Sequence, residues 1–280
     1  MAPGRAMPGR RPESAVDPGK IGGLLAATGG VARFTILEVV RSRLPVAAMV
    51  LLVVGESLGM LIGSVGLGEA ELNRVALVGA GWRLAAVLLV GVMVVVGTAR
   101  EINDRMTVLL LSLPIPRSVW FFGRFLGFSG VALGLALLFG AGLSPFVPWD
   151  QVVLWGGTLG CELLLVVGMG LFFTLGLGRL VPSLLAVVGC YLFSRSLETL
   201  ILLASGPLPE YMSLPDRVVV GVLTAVGVVL PRLGEAFAGT SWLVYHDGHW
   251  GDLLPVLRES GLSLLVFLGA GLLDLHRKDC

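Results

Sequence analysis

Charged residues are scarce in this chain. Only 14% of its 280 residues are charged, whereas roughly 25% is usual in a soluble domain. Hydrophobic residues make up 55%, and the mean hydropathy is +0.90. This composition excludes an ordinary soluble domain and indicates a membrane protein. The 20 basic residues are spread along the chain and leave a net charge of +1, which argues against a nucleic-acid-binding surface.

Cysteine is also rare, and one nucleotide-binding motif is absent. The three cysteines, Cys161, Cys190 and Cys280, form no CxxC pair, and the first two lie in apolar stretches where a thiol behaves as a small hydrophobic group. The sequence contains no GxxxxGK[ST] loop to cradle the phosphates of ATP. We therefore expect no redox or metal role for the cysteines and no ATP hydrolysis by this chain.

Long apolar runs predict an all-α polytopic membrane protein. About 20 mostly apolar residues are needed to cross the ~30 Å hydrocarbon layer. Six stretches qualify, namely 44–65, 75–98, 119–143, 152–178, 181–204 and 253–275. The run 217–230 is too short to cross, because Pro231 ends it. The Pro-, Gly- and Arg-rich beginning lacks the apolar core of a signal peptide and predicts a disordered cytoplasmic tail over residues 1–30.

The distribution of lysine and arginine predicts that both termini are cytoplasmic. In that orientation 14 of the 20 basic residues fall on the cytoplasmic side and five, Arg83 among them, on the other side. The longest external stretch, 205–252, contains the short run, which can enter the outer leaflet and return where protein shields its backbone. His246 and His249 in this stretch are only weak candidates for a metal site, because further ligands are not close in sequence.

The largest internal cytoplasmic loop covers residues 100–117. Four charged residues open it: Arg100, Glu101, Asp104 and Arg105. Five apolar residues then recur on one helical face: Ile102, Met106, Leu109, Leu110 and Leu113. This pattern predicts a short amphipathic helix that Pro114 ends, with Arg117 leading into the next span. The loop is either a solvated connector or an element that receives a push from a partner, and its stiff Pro-x-Pro corner favours the second.

Four ionisable residues lie inside predicted spans: Glu56, Glu162, Arg195 and Glu198. A charge at the centre of a spanning helix costs about 2.5–3.5 kcal/mol, so such residues are functional candidates. Arg195 and Glu198 can pair within one helix. Glu56 and Glu162 must face water, pair across helices or be protonated. The set either lines a polar pathway or holds the bundle together.

Glycines recur at a spacing of four in three of the predicted spans. They are Gly55, Gly59 and Gly63, then Gly123 and Gly127, then Gly156 and Gly160. Small residues at this spacing allow helices to approach closely. We expect contacts within the bundle, with a dimer seam along the first span as the alternative.

Four stretches, in this order, resemble the permease subunits of ABC-2 type transporters. They are ARFTILEVVRSRL (32–44), the loop 100–123 with its LPIPR, LPRLGEAFAGTSWLVYHDG (230–248) and LLDLHRKDC (272–280). The resemblance implies that residues 31–280 are an ABC-2 type transmembrane domain. It also implies a short re-entrant helical segment between the fifth and sixth spans. The chain would then be a pore-forming subunit of an exporter, in a bacterial inner membrane, that pairs with a second permease copy or paralogue.

The resemblance further implies a separate ATPase subunit, which binds ATP and Mg and contacts loop 100–117 as a coupling helix. This chain itself would hold no cofactor and would not be an enzyme. The alternative is an ion-coupled secondary transporter or channel in which Glu56, Glu162 and Arg195 relay ions. Such transporters often have repeated halves, and no repeat is evident between residues 31–143 and 152–275.

Overall fold

The computed structural model describes residues 18–65, 70–103, 116–205, 214–229 and 233–277. Nine α-helices contain most of these residues. The helices are α1 (Pro18–Arg41), α2 (Leu44–Val65), α3 (Ala70–Asn103), α4 (Arg117–Leu143), α5 (Trp149–Leu177), α6 (Leu180–Ser205), α7 (Leu214–Val229), α8 (Gly234–Tyr245) and α9 (Leu253–Arg277). A single 3₁₀ turn, Trp250–Asp252, precedes α9. No strand occurs in these residues. The prediction of an all-α polytopic membrane protein is confirmed.

Seven of the described helices are long and apolar enough to cross a membrane. Six of them, α2 to α6 and α9, contain the predicted spans to within one residue at the end of α5, and the seventh candidate is Gly22–Arg41 within α1. The predicted disordered tail is wrong from Pro18 onward, since residues 18–30 are helical. Residues 1–17 lie outside the described residues. The count of six spans and the cytoplasmic termini stay predictions.

Proline and glycine set the limits of the central helices. Pro116 and Pro148 directly precede α4 and α5 in extended conformations, and neither supplies the amide donor that a continuing helix would need. Gly178 ends α5 with φ 63°, and its N–H donates to the Thr174 carbonyl. Only glycine adopts this left-handed conformation without strain, so α5 ends here and α6 can begin at Leu180.

Helix α5 lies at the centre of the bundle. It packs against α3, α4, α6, α8 and α9, while α1 packs mainly on α4 and α2 mainly on α3. The side chains at its core include Trp155, Leu159 and Leu163, all fully buried. Helix α3 is the longest described helix, and its 34 residues span about 50 Å, which exceeds the ~30 Å hydrocarbon layer.

The glycine ridges form contacts within the bundle, as predicted. A Cβ placed on Gly127 would lie 2.5 Å from the Thr35 Cβ and 2.9 Å from the Ala32 carbonyl oxygen of α1. On α2, a Cβ on Gly55 would overlap the indole of Trp82 in α3. Since real Cβ atoms are never so close to other atoms, these glycines permit the observed approach of the helices.

Two short helices, α7 and α8, lie between the last two long ones. The short run predicted not to cross forms α7, whose apolar part is Val218–Gly227. The segment after α8 is fastened to the start of α5, because the side chain of Gln151 donates to the Gly248 carbonyl and accepts from the Gly248 N–H, both at 3.2 Å. The re-entrant placement of this region stays a prediction.

Replacing Gly127 with alanine should weaken the bundle. The added Cβ would overlap Thr35 and the α1 backbone, and overpacking of this kind costs about 1–3 kcal/mol. Gly134, also on α4, is the control: a Cβ there meets nothing within 4 Å, so Gly134→Ala should be neutral or slightly stabilising. Reversible unfolding in detergent measures both. Equal stability of the two variants would contradict the α1–α4 contact.

Candidate functional site

Two of the four intramembrane ionisable residues, Glu162 and Arg195, meet in one buried cluster. This central cluster comprises Arg83 of α3, Thr158 and Glu162 of α5, and Tyr191 and Arg195 of α6. The side chains of Arg83 and Glu162 are both 0% exposed. Of the choices left open by the sequence, Glu162 therefore pairs across helices.

The geometry of the central cluster is a chain of polar contacts. An Arg83 Nη lies 3.5 Å from Glu162 Oε2, and another donates to Thr158 Oγ1 at 2.8 Å. The Tyr191 hydroxyl donates to Glu162 Oε1 at 2.8 Å and accepts from Arg195 Nη1 at 2.6 Å. Arg195 Nη1 is 3.9 Å from the same Glu162 oxygen. One carboxylate is thus shared by two guanidinium groups, one of them bridged by a phenol.

The central cluster lies midway along the bundle. Glu162 is 13 residues from the start of α5 and 15 from its end, which places it about 20 Å from each. A charged group at this depth is expensive unless it is paired and hydrogen-bonded. Both its partners and its burial show that the protein interior, rather than water, solvates this carboxylate.

A second cluster surrounds Arg124, whose side chain is 1% exposed. In this Arg124 cluster, Nε donates to Glu101 Oε2 at 2.8 Å, and Nη2 also pairs with Glu101. Nη1 donates to Glu38 Oε2 at 2.9 Å and to Thr35 Oγ1 at 3.2 Å. The guanidinium of α4 is thereby joined to α3 through a bidentate pair and to α1 through two side chains, a geometry that arginine provides and lysine does not.

Glu56 forms a separate, more exposed pair. Its Oε2 accepts from an Arg74 Nη of α3 at 3.3 Å, and the two side chains are 19% and 16% exposed. The Arg74 guanidinium also lies 3.8 Å from the centre of the Phe146 ring. Glu56 therefore pairs across helices as well, but away from the central cluster.

The other predicted site residues have mixed outcomes. Arg117 donates to the Leu275 carbonyl at 3.5 Å, and Arg100 is exposed beside a cavity. Asp104, Arg105 and Pro114 lie outside the described residues, as does the predicted amphipathic helix after Asn103. The backbone of Glu198 is part of α6, but its side chain is not described, so its pairing with Arg195 stays a prediction.

The segment 246–252, which contains His246 and His249, ends helix α8 and leads into helix α9. His246 ends α8 with φ 56°, and its N–H donates to the Trp242 carbonyl. The His249 N–H donates to Asp252 Oδ2 at 2.9 Å, which caps the turn before α9. Across the described parts of the chain, no three His, Cys, Asp or Glu side chains are grouped so that they could hold a metal ion.

Sequence reasoning missed Arg83 and Arg124 as site residues. The charge distribution places Arg83 among the external basic residues, although Arg83 and Arg124 fall inside the predicted spans 75–98 and 119–143. The structure buries both of them completely or nearly so. Their place inside an apolar run was the signal, because a charge there requires a partner inside the protein.

Comparisons with known proteins assign the chain to no family. No protein-family model matches the chain, and no curated protein sequence matches it significantly. The described residues show a helical, multi-pass membrane protein in which Arg74, Arg83 and Arg124 form buried or half-buried ion pairs. This is compatible with a transporter subunit.

Glu162→Gln should destabilise the protein far more than Glu56→Gln. The glutamine can still accept from Tyr191, so the change isolates the loss of the negative charge beside Arg83. Breaking a buried pair costs about 3–5 kcal/mol, whereas a partly exposed pair contributes about 1 kcal/mol or less. Unfolding free energies in micelles measure the difference. A loss of about 1 kcal/mol or less for Glu162→Gln would show that the central cluster is not essential for stability.

Proposed function

We propose that the chain is the membrane-spanning permease subunit of an ATP-driven exporter and works with a separate ATPase in a bacterial inner membrane. The observation that carries the proposal is the Arg124 cluster. It links Glu101, at the α3 end of loop 100–117, to helices α4 and α1. A force on the loop would therefore be transmitted to those helices.

The first step of that route is the end of α3. Glu101 is two residues before Asn103, where the described part of α3 ends at the loop. Because α3 is about 50 Å long, it is long enough to project from the hydrocarbon layer. A partner that grips the loop would therefore pull directly on the carboxylate that pairs with Arg124.

The second step is the start of α4, on the far side of the loop. Arg117 is the first residue of α4 and donates to a carbonyl in the last turn of α9, where a cation is favoured. Arg124 lies two turns further along α4 and reaches Glu38 of α1. A movement of the loop would consequently be passed to α1 and α9 together with α3 and α4.

A second candidate is an ion-coupled secondary transporter or channel. The observation that favours it is the contact chain from Arg195 through Tyr191 to Glu162 at mid-depth. In that function the carboxylate would accept and release protons, and an ion gradient would replace ATP as the energy source. The two candidates differ in the need for an ATPase partner.

A photo-crosslinking residue at Arg105 should capture a separate ATP-hydrolysing protein in native membranes. The predicted coupling helix would lie in a cleft of that partner, so attachment should map to the partner's surface and the purified adduct should contain a nucleotide-binding sequence. Leu137, an exposed position on α4, is the control and should capture none. If position 105 yields no ATPase and transport requires only an ion gradient, the second candidate replaces the first.

Glu101→Gln should weaken mechanical coupling in the intact assembly. Spin labels at Leu25 of α1 and Leu273 of α9, both exposed, report how far the helices move when a nucleotide analogue binds. We expect the distance change to fall by at least half in Glu101→Gln, because its ion pair to Arg124 is lost, while ATP turnover stays within about twofold. Glu56→Gln is the control and should retain the full change. An undiminished change in Glu101→Gln would contradict the proposed route.

A further inference from the structure

A cavity of about 560 Å³ lies among α1, α2, α3 and α4 at the end of the bundle that carries loop 100–117. Its wall on α3 is apolar and consists of Leu89, Val92, Met93, Val96 and Gly97. Leu44 and Ala47 of α2 and Phe128 of α4 extend the apolar surface. The cavity is therefore lined mostly by apolar side chains and has one polar end.

The polar end of the cavity carries a surplus of positive charge. Arg43 and Arg100 line it and are exposed, and neither forms an ion pair within the described residues. Glu38 also lines it, and Arg124, which lies 2.9 Å from the Glu38 carboxylate, is shared with Glu101. Arg43, Arg100 and Arg124 against Glu38 and Glu101 still leave one positive charge in excess. An anion would therefore be attracted to Arg43 and Arg100, and guanidinium groups match phosphate oxygens in bidentate geometry.

The depth of the cavity matches one leaflet of a membrane. Its α3 wall runs from Leu89 to Arg100, which is 11 residues or about 16 Å of helix. Half of a ~30 Å hydrocarbon layer is about 15 Å. A molecule with its charge at the arginines would thus extend its apolar part to about the bilayer midplane.

We infer that this cavity binds one anionic phospholipid, with its phosphate between Arg43 and Arg100 and an acyl chain along α3. Basic recesses between spanning helices suit acidic headgroups, because the positive charge lies at headgroup level. Free phosphate would leave the apolar wall unused, and a lipid without net charge, such as zwitterionic phosphatidylcholine, would leave the excess positive charge of the cavity unbalanced. The inference does not depend on an ATPase partner, so it can fail or succeed separately from the proposed function.

Lipid retention by the full-length protein tests the inference. The protein is placed in nanodiscs of defined composition, and bound lipid is counted by native mass spectrometry. We expect one phosphatidylglycerol to be held more tightly than phosphatidylcholine. Arg43→Gln combined with Arg100→Gln should weaken phosphatidylglycerol binding about 10- to 30-fold, the effect expected for two basic residues at the membrane surface. Millimolar inorganic phosphate should not displace the lipid.

Two further variants separate the headgroup from the acyl chain. Arg33→Gln combined with Arg179→Gln removes two exposed arginines that do not line the cavity and should change binding less than twofold. Val92→Phe fills the apolar wall at a position that is 43% exposed, so it should reduce binding without disturbing the core. Circular dichroism and size-exclusion chromatography confirm folding of each variant.

Several results would overturn the inference. They are equal retention of phosphatidylglycerol and phosphatidylcholine by the unmodified protein, unchanged binding by the Arg43/Arg100 double variant, and full binding by Val92→Phe. Displacement by inorganic phosphate would identify a phosphate site instead. Occupation of the cavity by a second copy or by the chain's own beginning, detected by crosslinking from Val92, would also refute it. The lipid comparison on the unmodified protein remains decisive if a variant fails to fold.

Discussion

A guanidinium group inside an apolar bundle must be matched by acceptors from the protein itself, and this constraint shapes the whole arrangement. Arg83 and Arg124 are both nearly inaccessible, and each meets a carboxylate on a different helix. In lipid, the burial of apolar side chains gives no hydrophobic driving force for one helix pairing over another, because the acyl chains are as apolar as leucine. The charge clusters can therefore specify which helices adjoin: α3, α5 and α6 at mid-depth, and α1, α3 and α4 near the loop.

Close packing and charge pairing act on the same interface between α1 and α4. Gly127 allows Thr35 to approach α4, and the Thr35 hydroxyl then accepts a hydrogen bond from Arg124 at 3.2 Å. Gly127 is three residues after Arg124 and so lies on the same face of α4. A side chain at Gly127 would push α1 away and lengthen the contacts of both Thr35 and Glu38 with the guanidinium. Gly127 thus helps to maintain the hydrogen bonds that Arg124 donates to Thr35 and Glu38.

The sequence predicted the helical class and the six long apolar spans because these depend on local composition. It could not predict the partner of Glu162, since Arg83 is remote in sequence and no local spacing relates the two. The helix over residues 18–30 was also missed, because its composition resembles a tail. Helices in proteins gain most of their stability from tertiary packing rather than from local composition, and α1 packs along α4. Residues 104–115 and the side chain of Glu198 lie outside the described residues. The amphipathic helix of loop 100–117 and the pair between Arg195 and Glu198 therefore stay predictions.

Helix α3 contributes one member to each of the three charge pairings: Arg74, Arg83 and Glu101. These residues are about 13 Å and 27 Å apart along the helix axis, so they anchor α3 at three depths. Sliding α3 by one turn, about 5.4 Å, would carry all three pairs beyond ion-pair distance at once. Breaking even one buried pair costs about 3–5 kcal/mol, so sliding α3 on its own is strongly disfavoured. Tilting or rotating α3 together with its partner helices would keep the three pairs intact, and this is the kind of movement that the proposed coupling to a partner requires.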